Sequence, residues 1–197
     1  MQEQMGLPFG HEKDGVRWPA DDDWRRERQN PEDLLSGIGL ISASTFVDVG
    51  CGGGFFALPA ARIVGKSGNV FGLDMDELAL ARLQQLADKE NLKNVHLMRG
   101  DVESLVVCEH CADIVFYGMT LHWFQNPYKV LENAKKMLGP RGRLVNMDWK
   151  KESMAYGPDL ERRYSQEFAI NLIATAGFSI ETVRDSGPYH YLIVARP

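Results

Sequence analysis

The chain has only three cysteines in 197 residues, too few and too unevenly spaced for a disulfide framework. That scarcity suits a reducing compartment, and a cytoplasmic location is expected. No run of about 18 apolar residues occurs, so neither a membrane span nor a membrane partner is expected. The opening MQEQMGLPFGHEKDG lacks an apolar core and does not read as a secretory signal. Excess positive charge is missing too. With 22 basic and 27 acidic side chains the net charge is −5, which argues against nucleic acid as a partner. The local basic clusters, among them Arg25-Arg26-Glu27-Arg28 and Arg162-Arg163, read as solvated faces. A metal-ligand set is absent as well. Cys108-Glu109-His110-Cys111 is a single C-x-x-C without the second knuckle a structural zinc needs, and it precedes a strand instead of opening a helix as a redox pair would. No metal is expected, and the pair reads as loop. Repeats and low-complexity tracts are lacking, the length is that of one domain, and 44% hydrophobic content supplies a core.

What the sequence does contain is concentrated in Thr45-Phe46-Val47-Asp48-Val49-Gly50-Cys51-Gly52-Gly53-Gly54-Phe55-Phe56. An apolar, β-branched run broken by one acid enters a glycine cluster, which opens an apolar helical pattern. This is a buried strand, a tight turn and a helix N-terminus. Glycines let the backbone approach a ligand where a Cβ would clash, and the helix end offers unpaired N–H groups and partial positive charge. A nucleotide-like ligand is expected on the turn. A dinucleotide fold wants G-x-G-x-x-G/A, but counted from Gly50 and Gly52 the third position is Phe55, too bulky for close helix–strand packing. The spacing is instead D-x-G-x-G-x-G through Asp48, Gly50, Gly52 and Gly54. Asp48 would repel a pyrophosphate but suits an amino-acid ammonium group or a bound water. Cys51 reads as a small residue within the turn. No G-K-[ST] follows, which excludes a P-loop.

Residues 1 to about 30 are polar and irregular, with Trp18, Trp24, Phe9 and His11 needing somewhere to bury; they either dock on the domain or form a lid over the ligand. Pro31 at a helix N1 position starts a short helix. From Thr45 strands and helices alternate, the mark of a doubly wound parallel sheet. Helices are predicted over 56–64, from Asp76 as cap to about 90, and over 127–138, where Gly139 and Gly142 act as stops. Pro158-Asp159 introduces one or two more, ending at Gly177. Strands are predicted over 45–49, 70–74, 95–99, 112–117 and 143–148. The last two, 178–184 and 189–195, flank Asp185-Ser186-Gly187-Pro188, too short for a crossover, so they form an antiparallel hairpin. Ligands of such sheets sit at the carboxyl ends of the strands, which gathers Asp48, Gly50, Asp74, Asp101 and Tyr117 around one crevice.

VDVGCGGGFF resembles the first motif of the class I S-adenosylmethionine (SAM)-dependent methyltransferases, of the small single-domain, UbiE-like type 11 group. Val70-Phe71-Gly72-Leu73-Asp74 resembles that family's second strand and its acid for both ribose hydroxyls. Gly100-Asp101-Val102 resembles its adenine-side loop, Ala112–Tyr117 its fourth strand, and Leu138-Gly139-Pro140-Arg141-Gly142-Arg143-Leu144-Val145 its helix-turn-strand segment. The likeness runs through residues 34–197, with 1–33 as a leader or lid. It implies a Rossmann-like α/β fold with a seven-stranded, mostly parallel sheet, order 3-2-1-4-5-7-6, ending in the antiparallel hairpin. It also implies S-adenosyl-L-methionine as cofactor, S-adenosyl-L-homocysteine as product, and a small-molecule methyl acceptor. Asp48, Gly50, Cys51, Gly52, Gly54, Asp74, Met75, Asp101, Val102 and Tyr117 are the expected cofactor residues. His122, Trp123, Asp148, Trp149 and His190 are the expected acceptor pocket, with His122 or Tyr117 as the candidate catalytic groups. Transfer by in-line displacement from a sulfonium requires no nucleophilic side chain or metal. The rival readings are a catalytically idle SAM-binding protein and an NAD(P)-dependent enzyme; the oligomeric state stays open.

Overall fold

Residues 22–154 and 157–197 are described in a computed structural model of the chain. The order is α1 (Asp22–Gln29), α2 (Pro31–Gly37), β1 (Thr45–Val49), α3 (Ala57–Val64), β2 (Asn69–Asp74), α4 (Glu77–Lys89), β3 (Val95–Arg99), β4 (Ala112–Gly118), α5 (Pro127–Met137), β5 (Leu138–Trp149), α6 (Gln166–Thr175), β6 (Ser179–Ser186) and β7 (His190–Arg196). Local signals set several starts. Asn30 and Asn126 cap α2 and α5 just ahead of prolines, and Asp76 accepts from the Leu78 and Ala79 amides to cap α4.

The strands form a seven-stranded sheet in the order β3-β2-β1-β4-β5-β7-β6. β1 to β5 pair in parallel, whereas β7 runs antiparallel to both β5 and β6. The chain winds outward from β1 in both directions, so the order switches between β1 and β4. A crevice opens where the ends of those two strands part. One sheet face packs Phe46, Ile114 and Phe116 against Ala57, Ala60 and Ala61 of α3. The other packs Val47, Val115 and Leu144 against Leu131 of α5 and Ile173 of α6. Such burial is strong enough that truncating Phe116, fully buried, to alanine costs about 3–5 kcal/mol.

Several expectations are corrected. The polar stretch before residue 30 contains a helix, α1. Gly139 and Gly142 do not stop α5 in a loop, because β5 begins at Leu138 with no intervening turn. Gly142 is instead required by close approach: a Cβ there would stand 2.6 Å from the Ala112 carbonyl oxygen. The segment after Pro158 turns irregularly and carries one helix, α6, capped by Ser165. Cys108 and Cys111 do lie in a loop between β3 and β4, but they form a disulfide that the sequence analysis did not expect, with Cα atoms 5.9 Å apart. His110 in the left-handed region (φ 51°) folds the segment back, and the His110 and Cys111 amides bond Lys136 and Met137 carbonyls. Phe9, His11 and Trp18 and the side chain of Trp24 lie outside the described residues.

Candidate active site

The glycine turn is held from below and from the side. Gly50 and Cys51 donate their amides to the Leu73 carbonyl at 2.8 and 3.0 Å, and the Gly52 amide donates to Asp74 Oδ2 at 2.8 Å. Asp74 Oδ1 accepts from the Asp76 amide at 2.9 Å. One carboxylate thus ties the turn after β1 to the start of α4. The glycines divide their work. A Cβ at Gly50 (φ 76°) would meet Thr120 Cγ2 at 2.5 Å, and one at Gly54 would collide with Leu83. Those two permit packing, whereas Gly52 (φ 51°) has nothing within 4 Å of its would-be Cβ and faces the crevice.

The crevice has two halves that share Gly50, Thr120 and Trp123. One half, about 540 Å³, is lined by Asp74, Met75, Asp101, Val102, Glu103 and Phe124. Its outer loop is pinned from behind, where buried Asn133 of α5 donates to the Val102 and Glu103 carbonyls at 3.3 and 2.9 Å. Asp101 also closes its own turn by accepting from the Glu103 amide at 2.9 Å. The second half, about 310 Å³, is lined by Asp48, Cys51, Gly52, Phe55, Phe56, Met119 and two guanidinium groups, Arg25 and Arg82.

Asp48 lies at the base of this second half with Oδ2 buried and without a hydrogen-bond partner among the described residues. Burial, reinforced by the nearby Asp74 charge, raises its carboxyl to about 7, although Arg25 and the Ala57 amide pull the other way. An unpaired buried carboxylate costs free energy unless a cation or donor meets it. Burial also pushes the Cys51 thiol far up, which removes it as a nucleophile.

Of the expected acceptor residues, Trp123 alone lines the crevice. His122 is turned inward, its Nδ1 2.7 Å from Asp148 Oδ1, with both side chains out of solvent. Asp148 also accepts from the Trp149 amide at 2.8 Å. It pairs across the ladder with Tyr191, on the α5–α6 side, while Trp149 faces the opposite core. His190 is sealed between Trp149, 4.2 Å ring to ring, and Gln29 Nε2, 3.0 Å from His190 Nε2. Its burial, and the cations Arg25, Arg163 and Lys150 around it, lower it to about 3, so it stays neutral. Tyr117 is corrected as well. Its ring is fully buried and its hydroxyl donates to the Val130 carbonyl at 3.1 Å, so it supports α5 and reaches neither half of the crevice. Gly54 likewise packs on α4. Missing from the sequence reading were Thr120, which donates to the Val49 carbonyl at 2.9 Å and knits β4 to β1, and the arginines. Arg25 sits in a charged run that reads as solvent-facing, and nothing in the pattern of α4 separates Arg82 from an exposed helical residue.

An acid joining the glycine turn to the end of β2, a second buried acid beneath it and a crevice at the strand-order switch define the site of this α/β domain. Among the described residues no group of three or more His, Cys, Asp or Glu side chains is placed to hold a metal ion, and no helix is long and apolar enough to cross a membrane. The family profile of a methyltransferase domain matches residues 41–176, and the chain belongs to that family. The crystal structure of a SAM-dependent methyltransferase from Aquifex aeolicus superposes with a TM-score of 0.84 at 31% identity, covering 89% of this chain and 93% of that one. A demethylmenaquinone methyltransferase of Bacillus mycoides strain KBAB4 is 28% identical over 131 residues, 66% of this chain and 53% of that protein. An arsenite methyltransferase of Halobacterium salinarum is 27% identical over 109 residues, 55% and 28% respectively. The chain spans about half the length of the first two curated relatives it matches.

Proposed function

We propose that the protein transfers a methyl group from S-adenosyl-L-methionine to a small-molecule acceptor, leaving S-adenosyl-L-homocysteine. The observation that carries this reading is the buried, unpartnered Asp48 Oδ2 beside a turn whose Gly52 amide is held by Asp74. An ammonium-bearing tail and a ribose are the two groups those acids suit. Both Asp74 oxygens already accept a backbone amide, and each keeps a second lone pair for a ribose hydroxyl. Met75 and Val102 flank the adenine position, and Asp101 accepts from its amino group. Gly50, Cys51 and Gly52 bring bare backbone to the methionine tail, and Asp48 receives its ammonium.

The cofactor supplies an activated sulfonium methyl. The chain therefore has to bind, align and exclude water, and alignment alone supplies up to about 7–11 kcal/mol of barrier reduction. Trp123 and Phe56 wall the side from which an acceptor approaches. His122 does not serve as a base from its present position, since Nδ1 is engaged by Asp148 and Nε2 is buried. Within the leader the described helix α1 acts as a lid on a single domain over 34–197, a reading supported by Arg25 in the crevice wall and Gln29 against His190 and Met119. Phe55 continues to argue against a dinucleotide, now as a ring stacked under Arg25 at 3.8 Å. Transfer of labelled methyl from SAM into a broad panel of small acceptors tests the reaction. Retained cofactor affinity with no turnover on any acceptor would favour an idle SAM-binding protein instead.

A further inference from the structure

Trp123 stands where the two halves of the crevice meet: with Gly50 and Thr120 it lines both. Its own backbone does little to fix its ring. It ends a turn of three residues, Leu121–Trp123, closed by a bond from its amide to the Thr120 carbonyl at 3.0 Å. The turn is entered through Met119, which lies in the left-handed region (φ 63°). A non-glycine residue keeps that conformation only where its surroundings over-determine it. The turn is therefore held from outside.

Two side-chain ties do so. His122, its side chain out of solvent, sets Nδ1 2.7 Å from Asp148 Oδ1, and the same oxygen accepts from the Trp149 amide at 2.8 Å. The turn after β4 is thus stapled to the end of β5, and the His122 ring lies 5.0 Å from that of Trp123. The second tie comes from the connection between β5 and α6, where the Arg162 guanidinium carbon lies 5.0 Å from the Trp123 ring centroid. That connection is itself anchored, since buried Arg163 donates to the Pro158, Lys150 and Glu152 carbonyls at 2.7, 3.3 and 2.9 Å. Stability is a poor reason for the His122–Asp148 pair. His122 Nε2 and Asp148 Oδ2 are buried without a hydrogen-bond partner among the described residues, and apolar side chains of similar volume often match or better a buried ion pair. What apolar side chains do not supply is a directed bond to one point on β5.

We infer that His122, Asp148 and Arg162 are positioning residues: acting through Trp123, they set the partition between the nucleoside half of the crevice and the half an acceptor approaches. The identity of those halves rests on the methyltransferase reading above; the ties do not. Fluorine NMR of the full chain labelled with 5-fluorotryptophan reads its four tryptophans, and Trp123→Phe identifies the Trp123 resonance. Wild type is expected to give one narrow Trp123 line that moves on saturation with S-adenosylhomocysteine. His122→Leu combined with Asp148→Leu is expected to resist denaturant as well as wild type does. It nonetheless splits or broadens the line and weakens S-adenosylhomocysteine about two- to tenfold, the worth of one aromatic contact. His122→Asn, whose side-chain amide takes the place of the Nδ1 donor, keeps the line single. Arg162→Met, at an exposed position, broadens the line with no loss of stability.

A double variant that keeps one narrow line overturns the assignment, as does a wild-type line that is already split. If the double variant does not fold, Arg162→Met decides, and a single unchanged line there overturns it. S-adenosylhomocysteine that binds wild type without moving the Trp123 line also overturns it, because Trp123 is then no partition. If wild type binds no S-adenosylhomocysteine while the lines of the free variants behave as expected, the methyltransferase reading falls and the ties to Trp123 stand.

Discussion

At the scale of single residues the glycine turn separates packing from ligand contact. Gly50→Ala pushes a methyl into Thr120 at positive φ and is expected to destabilise the fold by about 1–3 kcal/mol in chemical denaturation. Pairing it with Thr120→Ser, which removes the clashing Cγ2, recovers part of that loss. Gly52→Ala meets no protein atom, so its methyl enters the crevice; cofactor affinity is expected to fall at least tenfold while the loss of stability stays near 1 kcal/mol. Asp74→Ala removes a charged acceptor and the Gly52 tie and is expected to weaken S-adenosylhomocysteine by about 2–3 kcal/mol, or 30- to 150-fold. Asp48, raised to about 7, must be ionised to receive an ammonium. Affinity should therefore rise with pH up to about 7 and level off above, a dependence absent from Asp48→Asn. A flat profile in wild type would show that Asp48 does not meet the ammonium.

At the scale of elements, what the sequence made legible was whatever rests on local chemistry. The helix start at Pro31, the Asp76 cap, the short terminal turn and the alternation of apolar strands with amphipathic helices all depend on neighbours within a few residues. The 138–142 segment was misread because Gly142 answers to a distant carbonyl, that of Ala112, and not to the helix before it. Gly142→Ala is accordingly expected to behave as a sheet-junction defect, lowering stability by about 1–3 kcal/mol with little change in the helical signal measured by circular dichroism. Four of the five expected acceptor residues, His122, Asp148, Trp149 and His190, stand away from the crevice for the same reason. Being near a strand end in sequence does not say which way a side chain turns, and on β5 the alternation sends Asp148 and Trp149 into opposite cores. That Asp48, Asp74 and Asp101 line one crevice was legible because each stands near the carboxyl end of a parallel strand, where the loops of such a sheet gather.

At the scale of the whole molecule, two buried groups give stability opposing pH dependences. His190 remains neutral in the fold down to about 3, while the unfolded chain takes up that proton below 6.5, so its contribution is present above pH 6.5 and is lost as the pH falls toward 3. Asp48 keeps a proton in the fold between 3.8 and about 7 that the unfolded chain has released, so its contribution declines as the pH rises through that window. Each slope is about 1.4 kcal/mol per pH unit where it is fully developed, and the two offset one another from about pH 4 to 6.5. Asp48→Asn removes one of them. The melting-temperature difference between variant and wild type is expected to grow in favour of the variant from pH 4.5 to 7 and then stop growing; a constant difference would show that Asp48 titrates normally.

The whole account turns on the crevice between β1 and β4 holding an S-adenosyl group. Isothermal titration of the full chain with S-adenosylhomocysteine at pH 8 should show one site per chain with a dissociation constant in the micromolar range or below, and Asp74→Ala should lose it. No heat of binding at millimolar ligand, with the chain folded by circular dichroism, would contradict it.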